Sequence, residues 1–150
     1  MLKGIDPVLS PDLLKMLAEM GHDDTIVLAD ANFTAMSLAA GKPVLRLPGV
    51  GMARALRAVG SVLPWASDVA CPVACMHVCG KAAGYRSEVQ REALAVLAHE
   101  GLHDGQAQAV ERFAFYDRVR SAYGTVVTGE LQPWSNFLLR KGVLGEALRA

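Results

Sequence analysis

The sequence has no apolar run approaching the roughly 18 residues that a membrane-spanning helix needs. Its opening residues, Met1-Leu2-Lys3-Gly4-Ile5-Asp6-Pro7, hold no apolar stretch of signal-peptide length. It has no excess of either charge. Fifteen basic residues meet fifteen acidic ones, so no electrostatic footprint for nucleic acid or for an anionic membrane is present. Cysteine is scarce, and its count of three is odd, which argues against a disulfide scaffold and for the cytoplasm. Internal repeats, low-complexity tracts and linkers are absent. Gly49-Val50-Gly51 lacks the lysine and hydroxyl of a phosphate loop and the third glycine of a dinucleotide fingerprint. It reads as a turn feeding a helix.

What is there is the composition of a globular domain, 52% hydrophobic and 20% charged. A length of 150 residues suits one domain spanning 1–150 with one sizeable core. The apolar excess, six methionines included, suits a chain that also buries surface against other copies of itself, so an oligomer is expected.

Ser10-Pro11-Asp12 starts a helix: serine suits the N-cap, proline the first turn, and aspartate the positive end of the dipole. Leu13, Leu14, Leu17 and Met20 recur at helical spacing, and Gly21 reads as a left-handed cap. Thr25 to Ala29 is a buried strand stopping at Asp30, and Pro43 to Leu47 a second strand. Met52 to Leu63 reads as a helix. Residues 69–79, rich in valine and cysteine, read as a strand buried on both faces. Ser87 with Gln90 forms a capping box for a helix reaching Glu100. Arg112 to Ala122 is helical, with Phe113, Tyr116 and Val119 along one side, and Tyr123 to Thr128 and Phe137 to Leu139 close the chain as strands. Strands alternating with helices predict an α/β fold, a three-layer α/β/α sandwich with a mainly parallel, Rossmann-like sheet. Gly80 to Arg86 is the best candidate for a mobile loop.

Cys71, Cys75 and Cys79 stand four apart. On a helix they could share a metal. On a strand they lie roughly 13 Å apart, too far for one ion or a disulfide. The flanking valines favour the strand, so all three are expected buried and reduced. His77, His99 and His103 read as structural or solvated. His22 follows a helix's C-terminal glycine, where the dipole favours an imidazolium. Eight residues on, a strand ends in Asp30, and both side chains are expected at the same sheet edge. Open α/β sheets bind ligands at the carboxyl ends of their strands. Asp30-Ala31-Asn32-Phe33 supplies a carboxylate, a carboxamide and an aromatic ring, which suits either a carbohydrate or a polar turn over a core Phe. Pro133-Trp134-Ser135-Asn136, preceded by Thr128-Gly129-Glu130, offers a stacking surface with a hydrogen-bond fork, or an anchored hairpin. Arg112 either serves that site or pairs on the surface with Glu111 or Asp117.

Several ordered segments resemble the L-fucose mutarotase / D-ribose pyranase (RbsD/FucU-type) family, on the fucose side. They are Leu2-Lys3-Gly4-Ile5, Leu9 to Lys15 and Leu17-Ala18-Glu19-Met20-Gly21-His22; Ile26 to Phe33; Glu111 to Arg118; Thr128-Gly129-Glu130; and Asn136 to Val143. The likeness fades between about residues 65 and 105. It implies His22 as the catalytic acid/base, with Asp30 and Arg112 binding sugar hydroxyls. Trp134-Ser135-Asn136 stands where the family has Tyr-Gly-Asn, and Asn32 and Glu130 are further candidates. Asp23 replaces the family's usual glycine after the histidine, and Thr34 a usual proline. The expected activity is interconversion of the α and β anomers of L-fucose, or of pyranose and furanose forms of ribose or a related aldose, with no metal and no cofactor. The resemblance also implies a homodecamer of stacked pentameric rings, with sites between neighbours and the closing segment completing a neighbour's pocket. The competing expectation is a non-catalytic monosaccharide-binding protein, accessory or regulatory to uptake, which would not need His22.

Overall fold

The structure is a computed structural model and describes residues 1–145. In chain order it builds α1 (Pro11–Glu19), β1 (Thr25–Ala29), α2 (Ala35–Ala39), β2 (Val44–Leu47), α3 (Met52–Gly60), β3 (Val73–Met76), α4 (Glu88–His99), β4 (Ala107–Val110), α5 (Arg112–Ser121), β5 (Gly124–Thr128) and β6 (Phe137–Arg140). The strands form one sheet in the order β2-β5-β1-β6-β3-β4. Only β6 runs against the others, pairing antiparallel with β1 and β3. The remaining neighbours are parallel.

Side chains alternate across the sheet as the two-residue period demands. Ile26, Leu28, Val73, Cys75, Phe137 and Leu139 meet α1, α3 and α4 through Leu13, Leu56 and Leu97. Val27, Ala29, Ala74, Met76 and Leu138 meet α2 and α5 through Leu38, Phe115 and Val119. Helices therefore cover both faces, and the expected α/β layered fold with its mainly parallel sheet is observed.

The local signals at two helix starts hold. The Ser10 side chain accepts from the Leu13 N–H at 3.2 Å. At α4, the Ser87 hydroxyl accepts from the Gln90 N–H while the Gln90 side chain accepts from the Ser87 N–H.

Other expectations need correction. Gly21 is not a left-handed cap. Met20 caps α1, and the left-handed residue of this turn is Asp23, with φ 74°. The strand expected over 69–79 shrinks to Val73–Met76, because only there do neighbours exist on both sides. Its cysteines consequently diverge: Cys75 is buried, Cys71 half-buried and Cys79 exposed, all as free thiols. On α5 the buried side is Phe115 and Val119, whereas Phe113 is 63% exposed. The five-residue α2 is too short to show a helical period, and β4 is an edge strand whose Gln108 breaks the apolar pattern.

Candidate functional site

The carboxyl ends of β1, β3, β4 and β5 and the start of the reversed β6 lie on one edge of the sheet. A cleft of about 490 Å³ opens there. Asp30, the residue after β1, forms its floor. The Asp30 N–H donates to Asn136 Oδ1 at 2.9 Å, and Asp30 Oδ1 accepts from the Asn32 N–H at 3.0 Å. Burial pushes the Asp30 carboxyl above the usual carboxylate range. The Asn32 and Ser135 N–H groups and the Asn136 side chain pull the other way, and the charge of Glu130 adds to the rise.

The loop carrying these groups is laced to its neighbours. Thr128 Oγ1 donates to the Ala29 carbonyl at 2.9 Å, and the Ala31 N–H donates to the Glu130 carbonyl at 2.7 Å. Gly129 has to be glycine, because a Cβ there would sit 2.6 Å from the Gly49 nitrogen. Gln90, 1% exposed, reaches from α4 to donate to both the Met76 and Trp134 carbonyls, at 2.8 and 2.9 Å. It thereby ties down Trp134, whose φ of 68° is unusual for a bulky residue.

Arg112 opens α5 on the cleft's far wall. It does not pair with Glu111 or Asp117. Glu111 caps the helix by accepting from the Phe113 and Ala114 N–H groups, and Asp117 pairs with Arg120. Arg112 Nε instead donates to the Tyr116 hydroxyl at 3.0 Å. Its guanidinium lies 5.1, 5.5 and 5.9 Å from the ring centres of Phe113, Tyr116 and Trp134. Phe33 meets Tyr116 edge-on at 5.8 Å. The cleft thus joins a buried carboxylate and a guanidinium to aromatic faces. That pattern fits a small polyhydroxylated molecule with one apolar side.

The structure brings together Asp30, Asn32, Phe33, Arg112, Trp134 and Asn136 from the sequence reading, and adds Thr34, Met76 and Tyr116. Tyr116 could have been found from its position four residues after Arg112, one helical turn on. Two candidates stand apart from the lining. The Ser135 hydroxyl is fully buried and has no hydrogen-bond partner among the described residues. Glu130 turns toward α3, accepting from the Met52 and Gln132 N–H groups.

His22 is the main departure. It precedes β1, whereas Asp30 follows it, so the two lie at opposite ends of a five-residue strand, about 16 Å of extended chain. The expectation of one shared edge is wrong for a single chain. So is the division that set the closing segment apart from Asp30, since Trp134 and Asn136 stand beside Asp30 in the same chain. His22 Nε2 lies 3.0 Å from Asp68 Oδ2. A second cleft of about 430 Å³ opens at that end of the sheet, where Arg140 is already paired with Asp23 and no aromatic ring lines the walls among the described residues. Among the described residues no group of three His, Cys, Asp or Glu is placed to hold a metal ion, and no helix is long and apolar enough to cross a membrane.

Known proteins resemble the chain along nearly its whole length. The model of the RbsD / FucU transport protein family matches residues 3–144. The L-fucose mutarotase of Actinobacillus pleuropneumoniae serotype 5b (strain L20) is 42% identical over 144 residues, covering 95% of this chain and 97% of its own. The human fucose mutarotase is 42% identical over 146 residues, covering 95% and 94%. Among solved structures, the fucose mutarotase of Streptococcus pneumoniae in complex with L-fucose superposes with a TM-score of 0.87 at 35% identity, covering 96% of this chain and all of that one.

Proposed function

The chain belongs to the RbsD / FucU transport protein family, and from that premise we propose that it is a sugar mutarotase interconverting the α and β anomers of L-fucose by acid/base ring opening and closure. The observation that carries this reading is the cleft itself, with the Asp30 carboxylate and the Arg112 guanidinium facing the Trp134 and Tyr116 rings. Hydroxyls of a pyranose pair with the charged groups, and its C–H face packs on the aromatic ones.

Ring opening takes the proton from the anomeric hydroxyl. The bond from C1 to the ring oxygen breaks with its electron pair on the oxygen, which receives a proton, and an aldehyde results. Closure on the other face of that aldehyde yields the second anomer, and closure through another hydroxyl changes ring size. The C–O bond breaks and re-forms within the sugar, so the catalyst's part is proton transfer, which an imidazole can serve in both directions near neutral pH. An oriented acid/base contributes typically 10²–10⁴-fold, sufficient for a reaction that already proceeds in water. His22 is the proposed proton carrier.

Since His22 and Asp30 of one chain lie at opposite ends of β1, the proposed site is shared, with His22 of one copy entering the cleft of the next. Such a head-to-tail contact uses two different surfaces, and it closes into a ring where the rotation between copies divides a full turn. Met36 and Phe113, 67% and 63% exposed, supply apolar surface that such a contact would bury. The assembly proposed is a homodecamer of stacked pentamers, working in the cytoplasm as one mutarotase domain per chain. The location of His22 also favours a second reading, a non-catalytic monosaccharide-binding protein that uses the cleft alone.

Saturation-transfer NMR of anomer exchange separates the two. L-fucose, ribose and related aldoses would be followed with and without micromolar protein. Accelerated exchange of L-fucose is expected. Binding without acceleration would select the second reading.

A further inference from the structure

We propose that Asp68 is the positioning residue of the proton-transfer step, holding the His22 imidazole with Nε2 protonated and Nδ1 free to exchange protons with the sugar. The inference rests on the mutarotase reading and on His22 as its proton carrier. Asp68 sits in the loop between α3 and β3. Its Oδ2 lies 3.0 Å from His22 Nε2.

An ionised carboxylate can only accept hydrogen bonds, so the imidazole nitrogen facing it must carry the proton. Asp68 is kept in that acceptor form. The His22 hydrogen bond, followed by its own backbone N–H, holds its carboxyl below the usual range, and the Arg140 charge contributes. In the neutral ring, the remaining nitrogen then holds a lone pair, as a base requires. When it takes a proton, the carboxylate faces an imidazolium and stabilises it. This is the logic by which a buried aspartate orients a catalytic histidine in acyl transfer, here at a half-exposed site.

Among the described residues the neighbouring charges of Asp23, Asp24 and Lys141 are otherwise engaged, and Asp68 is the acidic side chain seen on the ring. Asp23 Oδ1 accepts from Arg140 Nη1 at 2.7 Å. Asp24 Oδ2 accepts from the Gly21 N–H at 2.7 Å. Lys141 Nζ donates to the Leu17 and Met20 carbonyls at 2.7 and 2.5 Å. The turn itself is braced as well. Asp23 is left-handed at φ 74°, its N–H donates to the Lys141 carbonyl, and the Lys141 N–H donates to the Asp24 carbonyl. A strained turn fixed at both ends is what presenting one side chain at a defined angle requires. Asp68 locks the two freedoms left to the ring, its rotation and its tautomer.

The test is kinetic and spectroscopic, on the assembled protein with L-fucose. Asp68→Asn keeps size but offers an N–H as well as an oxygen, so it permits the wrong tautomer. Asp68→Ala removes the contact. Both are expected to lower kcat for anomer exchange by about ten- to a hundredfold, the scale of loss when the outer carboxylate of a metal-bound histidine is removed, with KM within about twofold of the parent. Asp68→Glu is expected to recover part of the loss. The ¹⁵N spectrum of His22 should move from protonated Nε2 in the parent to a tautomer mixture in Asp68→Asn. In a His22→Ala background the Asp68 substitutions should cost nothing further. Unchanged kcat in both variants, or an unchanged His22 tautomer, would overturn the inference. Full activity of His22→Ala would instead remove the reading beneath it, so the two failures are distinct.

Discussion

Asp30 and Asn136, 106 residues apart, are joined by a buried hydrogen bond from the Asp30 N–H to Asn136 Oδ1 at 2.9 Å. Through it the first strand's end and the last strand's beginning form one floor under the cleft. Asn136 is 2% exposed and also turns its amide nitrogen to the Met76 sulfur at 3.8 Å.

Asn136→Ala therefore leaves a buried N–H without an acceptor. Such an orphan costs about 1–3 kcal/mol. The melting temperature is expected to fall by an amount matching that loss. L-fucose affinity should weaken as well, because Asp30 loses its anchor. Calorimetric titration and thermal melts check both. Parental affinity with a lowered melting temperature would confine Asn136 to a structural role.

Asp30 is expected to trade stability for function. Its folded carboxyl titrates above the ordinary range because burial disfavours the charge. The folded state therefore holds its proton at pH values where the unfolded chain has lost it. Stability then falls as pH rises through the window between the ordinary and the raised value, and the deficit persists at neutral pH. Asp30→Asn removes the titration. It is expected to melt above the parent at neutral pH, to converge with it below the carboxylate range, and to lose L-fucose binding. A variant that melts below the parent at neutral pH would show that the accepted N–H bonds outweigh desolvation.

Gln90→Met is expected to destabilise the fold by about 1–3 kcal/mol, since the Met76 and Trp134 carbonyls and the Ser87 N–H lose their partner together. Trp134 also loses the tie that keeps it left-handed. Its fluorescence should change even where the protein is fully folded, and L-fucose affinity should drop. Chemical denaturation and emission spectra give both readouts. An unchanged spectrum would separate Gln90 from the cleft.

Elements with strong local grammar could be read from the chain alone. Ser10-Pro11 and the Ser87/Gln90 box are satisfied within four residues, so nothing distant can override them. Asp30, Trp134 and Asn136 could be named as candidates because each has a chemistry that a strand end or a turn displays, whereas Arg112 is singled out only by the family resemblance, since by itself it reads equally as a surface cation. What the chain hid were relations between distant segments. Residues on either side of one strand look close in sequence, yet the strand sends His22 and Asp30 to opposite ends of the sheet. Gln90 looked like a cap alone, and its contacts with Met76 and Trp134 depend on β3 and β6 arriving beside α4. The left-handed position of the His22 turn lies after that residue, at Asp23 and not at Gly21. Asp23 occupies it because Arg140 grips both its carbonyl and its carboxylate, at 3.2 and 2.7 Å, a reward that arrives from 117 residues away.

The separation of His22 from Asp30 leads to the sharpest prediction on assembly. If each working site pairs His22 from one copy with the cleft of another, then His22→Ala and Asn136→Ala damage opposite partners in the same interface. Each homogeneous variant should be nearly inactive at L-fucose concentrations well below KM, the first for want of a proton carrier and the second for want of binding. Subunits reshuffled at equal ratio should behave differently. An interface is intact when an Asn136→Ala chain, which still has His22, faces the cleft of a His22→Ala chain, which still has Asn136. In a head-to-tail ring each interface joins one of two chain types to one of two, so about one quarter of random interfaces meet that condition. Recovery of about one quarter of parental activity is therefore expected, with mass spectrometry establishing that the oligomers are mixed. A site confined to one chain cannot recover at all, because every chain in the mixture still carries one lesion. Proven mixing with no recovered exchange would place the proton carrier and the cleft within one chain. His22 would then be the wrong residue, since the sheet holds it a full strand length from Asp30.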